Sequence, residues 1–360
     1  MDPIIILYIF LLLVGLVLII KGGDWFVDAA SWIAKVSGIP TFVIGATIVS
    51  LATTLPEILV STIGTIQEVC WPETFKGSID LAVGNAIGSV NANLALIMGI
   101  SLAFLPGTFS RKDHMPKALI LIGGILLLAL CCFLNIKNGM PFWWGIIIFL
   151  VFIVFIVENL IYTKRKNELE KTLDTNLKTS NAEIEKPKKE KYKPKNAKEV
   201  WKNIIFFILG AAGIAGGAIL LSTYGQKIAV LAGVPASIIG VTIIAVGTSL
   251  PELTTTIIAI RKKQSDLSVG NIVGANIIDI TLILPLCSFI AAGKGNLPIN
   301  SQTIILDIPF CFLVAATALV PAIISKKFRR WQGITLLGLY VCYLTVLILS
   351  ALNIFTFPKF

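Results

Sequence analysis

Ten long apolar segments constrain this chain more than any other feature. Each holds about 20 apolar residues, enough to cross a bilayer as an α-helix. Apolar types make up 56% of the 360 residues and charged types only 14%, whereas about 25% of a soluble domain is charged. The sequence therefore predicts an all-α integral membrane protein with ten transmembrane helices. The predicted spans are 3–21, 41–66, 81–105, 117–135, 142–162, 203–222, 236–260, 268–292, 303–325 and 332–353.

The net charge of +10 is concentrated in alternate loops. Basic residues cluster at 111–117, 164–202, 261–263 and 326–330, whereas the loops between these clusters hold single lysines. Because cytoplasmic loops carry an excess of Lys and Arg, both termini are predicted outside and the central loop inside. We expect a multi-pass protein of the cell (plasma or inner) membrane, with the lipid bilayer as its partner and no nucleic acid.

The central segment at 163–202 interrupts the apolar pattern. It holds 13 Lys and Arg against 7 Asp and Glu, and it has too few apolar residues to build a core. We expect a solvated cytoplasmic linker without order of its own. An alternative is a polybasic segment that contacts anionic lipid.

The linker divides the chain into two halves, 1–162 and 203–360, with five predicted spans each. Since five is odd, the second half enters the membrane from the opposite side. The halves are therefore predicted to be inverted repeats, which place a substrate near the bilayer midplane between broken helices.

A phrase with a glutamate at mid-span occurs once in each half. The first copy lies at 38–64 and the second, 195 residues later, at 233–259. An ionised Glu at this depth costs about 3 kcal/mol unless it is paired, hydrated or bound to a metal. A functional site is therefore the favoured interpretation. The copies match at Gly38/Gly233, Pro40/Pro235, Gly45/Gly240, Thr47/Thr242, Thr53/Thr248, Leu55/Leu250, Pro56/Pro251 and Glu57/Glu252.

The phrase supplies oxygen ligands at a predicted helix break. Pro56 and Pro251 lack an N–H, so the carbonyls four residues earlier lose their helical partners and spans 2 and 7 are predicted to be broken. Carboxylate, hydroxyl and carbonyl oxygens suit Na⁺, Ca²⁺ or Mg²⁺ rather than a soft metal. The side chains expected on one face are Thr53, Thr54 and Glu57 in the first copy, and Thr248, Ser249 and Glu252 in the second.

A second, glycine-rich phrase follows each copy, at 84–99 and 270–284. Glycines four residues apart allow close helix approach, and alignment on them pairs Asn93 with Asp279 and Ser89 with Ala275. A buried carboxylate such as Asp279 is favoured as functional. Asn93 and Ser89 are candidates for the same cavity, although such residues also serve as hydrogen bonds between helices.

In these paired phrases the chain resembles the cation/Ca²⁺ antiporter superfamily, and in particular its prokaryotic sodium/calcium exchanger branch. The likeness covers both halves and leaves out the linker. It implies a secondary antiporter that exchanges Na⁺ for Ca²⁺ by alternating access, with both ions competing for one site. It also implies that the first and sixth spans slide against the other eight.

The resemblance implies a ligand set on the residues that match. Calcium would bind Glu57 and Glu252 with the carbonyls of Thr53 and Thr248, and Asn93 and Asp279 would complete the centre. The implied sodium ligands are Thr54, Ser89 and the Ser50 carbonyl on one side, and Ser249 and the Ala245 carbonyl on the other. No cofactor is implied beyond the transported ions.

Three departures bear on the counter-ion. Ala275 stands where the family usually has Ser, residues 89–91 read Ser-Val-Asn, and Asp279 is typical of potassium-dependent members. Exchange of H⁺ for Ca²⁺, or potassium-dependent exchange, is the alternative, and a passive cation channel is a further one. An enzyme is not expected, because the sequence lacks a His-rich zinc motif and a nucleophile with its base.

Overall fold

The computed structural model is helical throughout the part of the chain that it describes, apart from two isolated β-bridges between loops. The described residues are 3–37, 39, 41–179, 194, 196–231, 245–352 and 354–358. The helices are α1 (Pro3–Ser37), α2 (Phe42–Thr53), α3 (Leu55–Cys70), α4 (Ser78–Phe104), α5 (Arg111–Leu134), α6 (Phe142–Thr179), α7 (Ala197–Leu231), α8 (Ala245–Thr248), α9 (Leu250–Arg261), α10 (Ser265–Ala291), α11 (Thr303–Ser325) and α12 (Arg330–Ala351).

Eight of these described helices are long and apolar enough to cross a membrane, and α2 with α3 forms a ninth span bent by 43°. The all-α membrane fold is therefore confirmed. The predicted span at 236–260 includes 236–244, which lie outside the described residues, and α8 and α9 are its described part. The count of ten remains a prediction.

The helix that precedes the linker is longer than expected. α6 continues to Thr179, so the residues from 163 to 179 are helical, although the sequence was expected to lack order there. Lys and Glu are good helix formers, and pairs such as Lys164/Glu168 lie four residues apart. A membrane helix that has already nucleated extends through them at little cost.

The loops of the two halves meet in pairs at the ends of the bundle. At one end Phe109 N donates to the Lys326 carbonyl at 3.0 Å, and Lys262 Nζ lies 2.6 Å from Asp28 Oδ1. At another pair of loops Met140 and Leu297 exchange two backbone hydrogen bonds of 2.8 and 2.9 Å. The basic loops that contain Lys262 and Lys326 therefore contact the first half.

Equivalent helices of the two halves run in opposite directions. α3 ends beside the start of α4, where Glu68 Oε2 accepts from Ile79 N at 2.7 Å. α9 ends next to Ser265, which contacts Gly107 just beyond the far end of α4. Because α4 is about 40 Å long, α3 and α9 end on opposite sides of the bundle, as inverted repeats require.

Glycines bring α1 and α7 into backbone contact. A Cβ at Gly22 would lie 2.8 Å from the Gly210 carbonyl oxygen, and a Cβ at Gly210 would lie 2.8 Å from Phe26 N. Phe26 also packs on Phe207 with ring centroids 4.6 Å apart. The first helices of the two halves, α1 and α7, therefore pack against each other along their length.

A second glycine contact joins α2 to α10. A Cβ at Gly270 would lie 2.4 Å from the Phe42 carbonyl oxygen, and one at Gly274 would lie 2.4 Å from that of Ala46. The expected close approach is confirmed for this glycine pair. It brings the glycine-rich phrase of one half against the glutamate phrase of the other.

We expect Gly210→Ala to lower the midpoint of thermal unfolding in detergent by several degrees, because the new methyl group would force α1 and α7 apart at about 1–3 kcal/mol. Gly216→Ala is the matched control, since α7 has open space there within the described residues. Tryptophan fluorescence during a temperature ramp measures both. Equal midpoints for the two variants would contradict close packing at Gly210.

Candidate cation site

Both glutamate phrases break their helices at the same residue. α2 ends at Thr53 and α3 begins at Leu55, and Thr54 between them has φ −82° and ψ 0°. The equivalent Ser249, between α8 and α9, has φ −81° and ψ 5°. These angles lie in the bridge region of the Ramachandran plot, which is sparsely populated and frequent at functional sites. The proline-induced breaks predicted from the sequence are confirmed.

Each glutamate lies in the first turn of the helix that follows its break. Glu57 is the third residue of α3 and Glu252 the third residue of α9, and both side chains are fully buried. The N-terminal end of a helix carries a partial positive charge, which stabilises a carboxylate there. The break therefore supplies a favourable electrostatic position inside an otherwise apolar bundle.

The hydroxyl at each break reaches across to the glutamate of the other half. Thr54 Oγ1 donates to Glu252 Oε1 at 3.2 Å, and Ser249 Oγ donates to Glu57 Oε1 at 3.4 Å. The second carboxylate oxygen of each glutamate is buried and has no hydrogen-bond partner among the described residues. Each glutamate thus has one oxygen that accepts from a hydroxyl of the other half and one oxygen without a hydrogen bond to a described residue.

Two asparagines, Asn271 and Asn85, accept hydrogen bonds from the equivalent threonines of the two glutamate phrases. Thr53 Oγ1 donates to Asn271 Oδ1 at 3.2 Å, and Asn271 Nδ2 donates to Thr255 Oγ1 at 2.9 Å. In the other half Thr248 Oγ1 donates to Asn85 Oδ1 at 2.9 Å. Asn85 Nδ2 in turn donates to the Ser61 hydroxyl at 3.0 Å. The two arrangements are near-equivalents of each other.

Asp279 and Asn93 lie at π-helical segments, where a helix widens by one residue per turn. Asp279 begins the segment Asp279–Ile283 of α10, and Asn93 lies in Ala92–Ile97 of α4. Such segments occur frequently at functional sites. Asp279 interacts electrostatically with both glutamates. All polar side-chain atoms of Asp279 and Asn93 are buried without a hydrogen-bond partner in the described part of the chain.

The carboxylates of Glu57, Glu252 and Asp279 form no ion pair with a described Lys, Arg or His. Within the described residues the ion pairs are Lys117–Glu158 and Lys262–Asp28, and neither reaches the site. No group of three or more His, Cys, Asp or Glu side chains among these residues could by itself hold a metal ion. The described oxygens at these phrases belong to carboxylates, hydroxyls and backbone carbonyls.

The remaining predicted ligands are Ser89, Ser50 and Ala245. Ser89 Oγ is 3.4 Å from Thr248 Oγ1, so α4 of the first half meets the second phrase. The Ser50 carbonyl accepts from Thr54 N at 2.9 Å and from Thr53 Oγ1 at 3.3 Å. Ala245 is the first residue of α8. The structure thus links Ser50 and Ser89 to the phrases by hydrogen bonds, whereas for Asn93 and Ala245 it records position only.

The family model described as "Sodium/calcium exchanger protein" matches residues 7–160 and 202–349. The chain belongs to this family. The match includes residues of both predicted halves and omits 161–201.

This exchanger-family member is similar to characterised relatives and to solved structures. It is 27% identical over 357 residues to the sodium/calcium exchanger MaX1 of Methanosarcina acetivorans, covering 94% of this chain and 97% of that one. It is 31% identical over 296 residues to the inner membrane protein YrbG of Escherichia coli, covering 79% and 80%. The solved sodium-calcium exchanger NCX_Mj superposes with a TM-score of 0.70 at 28% identity, covering 95% and 98%.

Asn85 and Asn271 were missed as site residues from the sequence of this family member. A signal was present, because both stand in the same Gly-Asn-x-x-Gly phrase, at 84–88 and 270–274. The asparagines fix the threonine hydroxyls, and thereby orient the backbone that carries each glutamate.

We expect Asn271→Ala to reduce the stabilisation that added Ca²⁺ gives in thermal unfolding, because Thr53 would lose the acceptor that holds it. Asn159→Ala is the control, since that buried side chain donates to the Phe155 carbonyl of its own helix. Unfolding midpoints with and without Ca²⁺ measure the effect. An unchanged calcium-induced shift in Asn271→Ala would contradict a role for Asn271 at the site.

Proposed function

We propose that this protein is a secondary antiporter that exchanges Na⁺ for Ca²⁺ across the membrane by alternating access. The observation that carries the proposal is the set of three buried carboxylates, Glu57, Glu252 and Asp279, with unpaired oxygens and no basic partner among the described residues. A divalent ion neutralises two such charges at once. The relative MaX1 is named a sodium/calcium exchanger, which supports the same two ions.

Calcium, in this proposal, binds between Glu57 and Glu252 with help from the Thr53 and Thr248 carbonyls. Hard cations take six to eight oxygen ligands, so Asn93 and Asp279 complete the centre. Sodium uses hydroxyls and carbonyls beside the glutamates. The proposed sodium ligands are Thr54, Ser89 and the Ser50 carbonyl on one side, and Ser249 and the Ala245 carbonyl on the other.

Exchange follows from competition for the two glutamates. An empty site would leave buried carboxylates uncompensated, and this penalty disfavours an unloaded conformational change. The protein therefore crosses between inward and outward states only when it carries one ion type or the other. No cofactor takes part, and Ca²⁺ and Na⁺ are the transported substrates.

The packed pair of α1 and α7 is the proposed moving element. Both are 35 residues long and contact each other through backbone at glycines, so they can shift as one body.

The halves are proposed as repeats at 1–162 and 203–360 joined by a linker at 163–202. In this proposal the basic loops face the cytoplasm, both termini lie outside, and the linker is a solvated segment whose basic residues can contact anionic lipid. The inner membrane name of YrbG supports a cell-membrane location.

Glu57→Gln and Glu252→Gln are each expected to abolish exchange, because an amide keeps the shape of the carboxylate but cannot neutralise Ca²⁺. Glu73→Gln, in an exposed loop, is the control. Calcium uptake into sodium-loaded proteoliposomes measures the effect. Full exchange in either variant would contradict the proposed site.

The same assay separates the other transport modes. Uptake must require internal sodium and stop with a sodium ionophore. Uptake driven by a pH gradient alone would indicate H⁺/Ca²⁺ exchange, and uptake without any counter-ion gradient would indicate a channel. Either result would overturn the sodium-coupled proposal.

The asymmetry between Ser89 and Ala275 predicts opposite effects on sodium. Ser89→Ala removes a hydroxyl from one proposed sodium ligand set, so the sodium concentration for half-maximal exchange should rise several-fold. Ala275→Ser adds a hydroxyl at the equivalent place and should lower it. Sodium titrations of calcium efflux measure both values. A sodium dependence unaltered in both variants would contradict the assignment of these positions to sodium.

A further inference from the structure

A further buried carboxylate, Asp307, lies outside the proposed ion site. It ends the π-helical segment Thr303–Asp307 of α11 and is 4% exposed. Its Oδ1 accepts from Tyr343 Oη at 2.9 Å, and its Oδ2 accepts from Thr303 Oγ1 at 3.3 Å and from Gln302 Nε2 at 3.5 Å. Neutral donors from α12 and from its own helix therefore satisfy this carboxylate.

Asn91 of α4 is joined to the same group. Its Nδ2 donates to the Asp307 carbonyl oxygen at 3.2 Å and to Tyr343 Oη at 3.3 Å, and its Oδ1 accepts from Cys311 Sγ at 2.9 Å. A carboxylate only accepts, so Asp307 directs the Tyr343 proton to itself and leaves the phenol lone pair for Asn91. The carboxylate thus orients one of the partners of Asn91, the Tyr343 hydroxyl, and the Asp307 carbonyl and Cys311 hold it as well.

The hydrogen bonds of Asn91 lie close in sequence to a proposed ion ligand, Asn93. Asn91 immediately precedes the π-helical segment that contains Asn93, and two residues correspond to about 200° around a helix. The two asparagines therefore face nearly opposite sides of α4. Asn93 has no hydrogen-bond partner of its own in the described part of the chain. The hydrogen bonds of Asn91 therefore help to fix the rotation of α4 that presents Asn93, together with the contacts of Asn85 and Ser89 with Thr248.

The surrounding packing makes the attachment rigid. Tyr343 stacks on Phe310 with ring centroids 4.4 Å apart and planes 9° from parallel. Near the start of α12, a Cβ at Gly333 would lie 2.5 Å from the Gly99 carbonyl oxygen, so α12 and α4 are in backbone contact. A change at Tyr343 is thereby transmitted to α4.

We propose that Asp307 and Tyr343 are positioning residues for calcium binding, which hold Asn93 at the site through Asn91. The inference rests on the proposed function, because it takes Asn93 as a ligand of the transported ion. Neither residue touches the ion. They act by setting how the π-helical segment of α4 is rotated and where it lies along the helix axis.

Equilibrium binding of radioactive Ca²⁺ to the purified full-length protein tests this positioning role. Tyr343→Phe removes the hydroxyl that joins Asp307 to Asn91 and should weaken calcium binding several-fold with little change in the thermal midpoint. Asp307→Asn should act in the same direction, because its amide can donate to the phenol and turn it away from Asn91. Tyr340→Phe is the matched control: Tyr340 lies on the same buried face of α12, and its hydroxyl has no hydrogen bond to any described residue.

A double-mutant cycle with Asn93→Ala separates positioning from general stability. If Tyr343 acts through Asn93, Tyr343→Phe should have no further effect on calcium affinity once Asn93 is truncated. A full several-fold loss that persists in the Asn93→Ala background would overturn the inference, as would an equal loss in Tyr340→Phe. A lower thermal midpoint with unchanged affinity would overturn it too. Absence of calcium binding in the wild-type protein would instead refute the proposed function itself.

Discussion

The burial of Glu57, Glu252 and Asp279 without a basic partner in the described part of the chain is the constraint on which the rest of the structure depends. A carboxylate at the centre of a membrane costs about 3 kcal/mol by insertion scales, and three that repel one another cost more. No Lys or Arg among the described residues offsets this charge at the site. Under the proposed function the transported cations supply the compensation, and the protein is then expected to be most stable when one is bound.

In the described residues, features of the backbone rather than charged side chains accommodate these buried carboxylates. Breaks at Thr54 and Ser249 place each glutamate at a helix N-terminus, where the dipole favours negative charge. Glycine contacts between α2 and α10 bring the phrase of one half against the other half. Inversion of the repeats then lets each break hydroxyl reach the opposite glutamate, so both halves are needed to complete either carboxylate's surroundings.

The sequence was informative where the physics is local. Apolar length predicts membrane helices, and proline predicts the breaks, because both effects act within a few residues. It was uninformative where partners come from distant segments. The links from Thr53 to Asn271 and from Asp307 to Tyr343 and Asn91 depend on helix packing and leave no periodic pattern. The extension of α6 to Thr179 was missed for another reason, since charge composition was weighed above helix propensity.

The central claim is that Na⁺ and Ca²⁺ use the same two glutamates. Equilibrium binding of radioactive Ca²⁺ to the purified protein over a range of Na⁺ concentrations tests it most directly. Competition predicts that the apparent dissociation constant for Ca²⁺ rises with Na⁺ while the maximal amount bound stays constant. A calcium affinity that does not change with Na⁺, or a fall in maximal binding at constant affinity, would contradict a shared site.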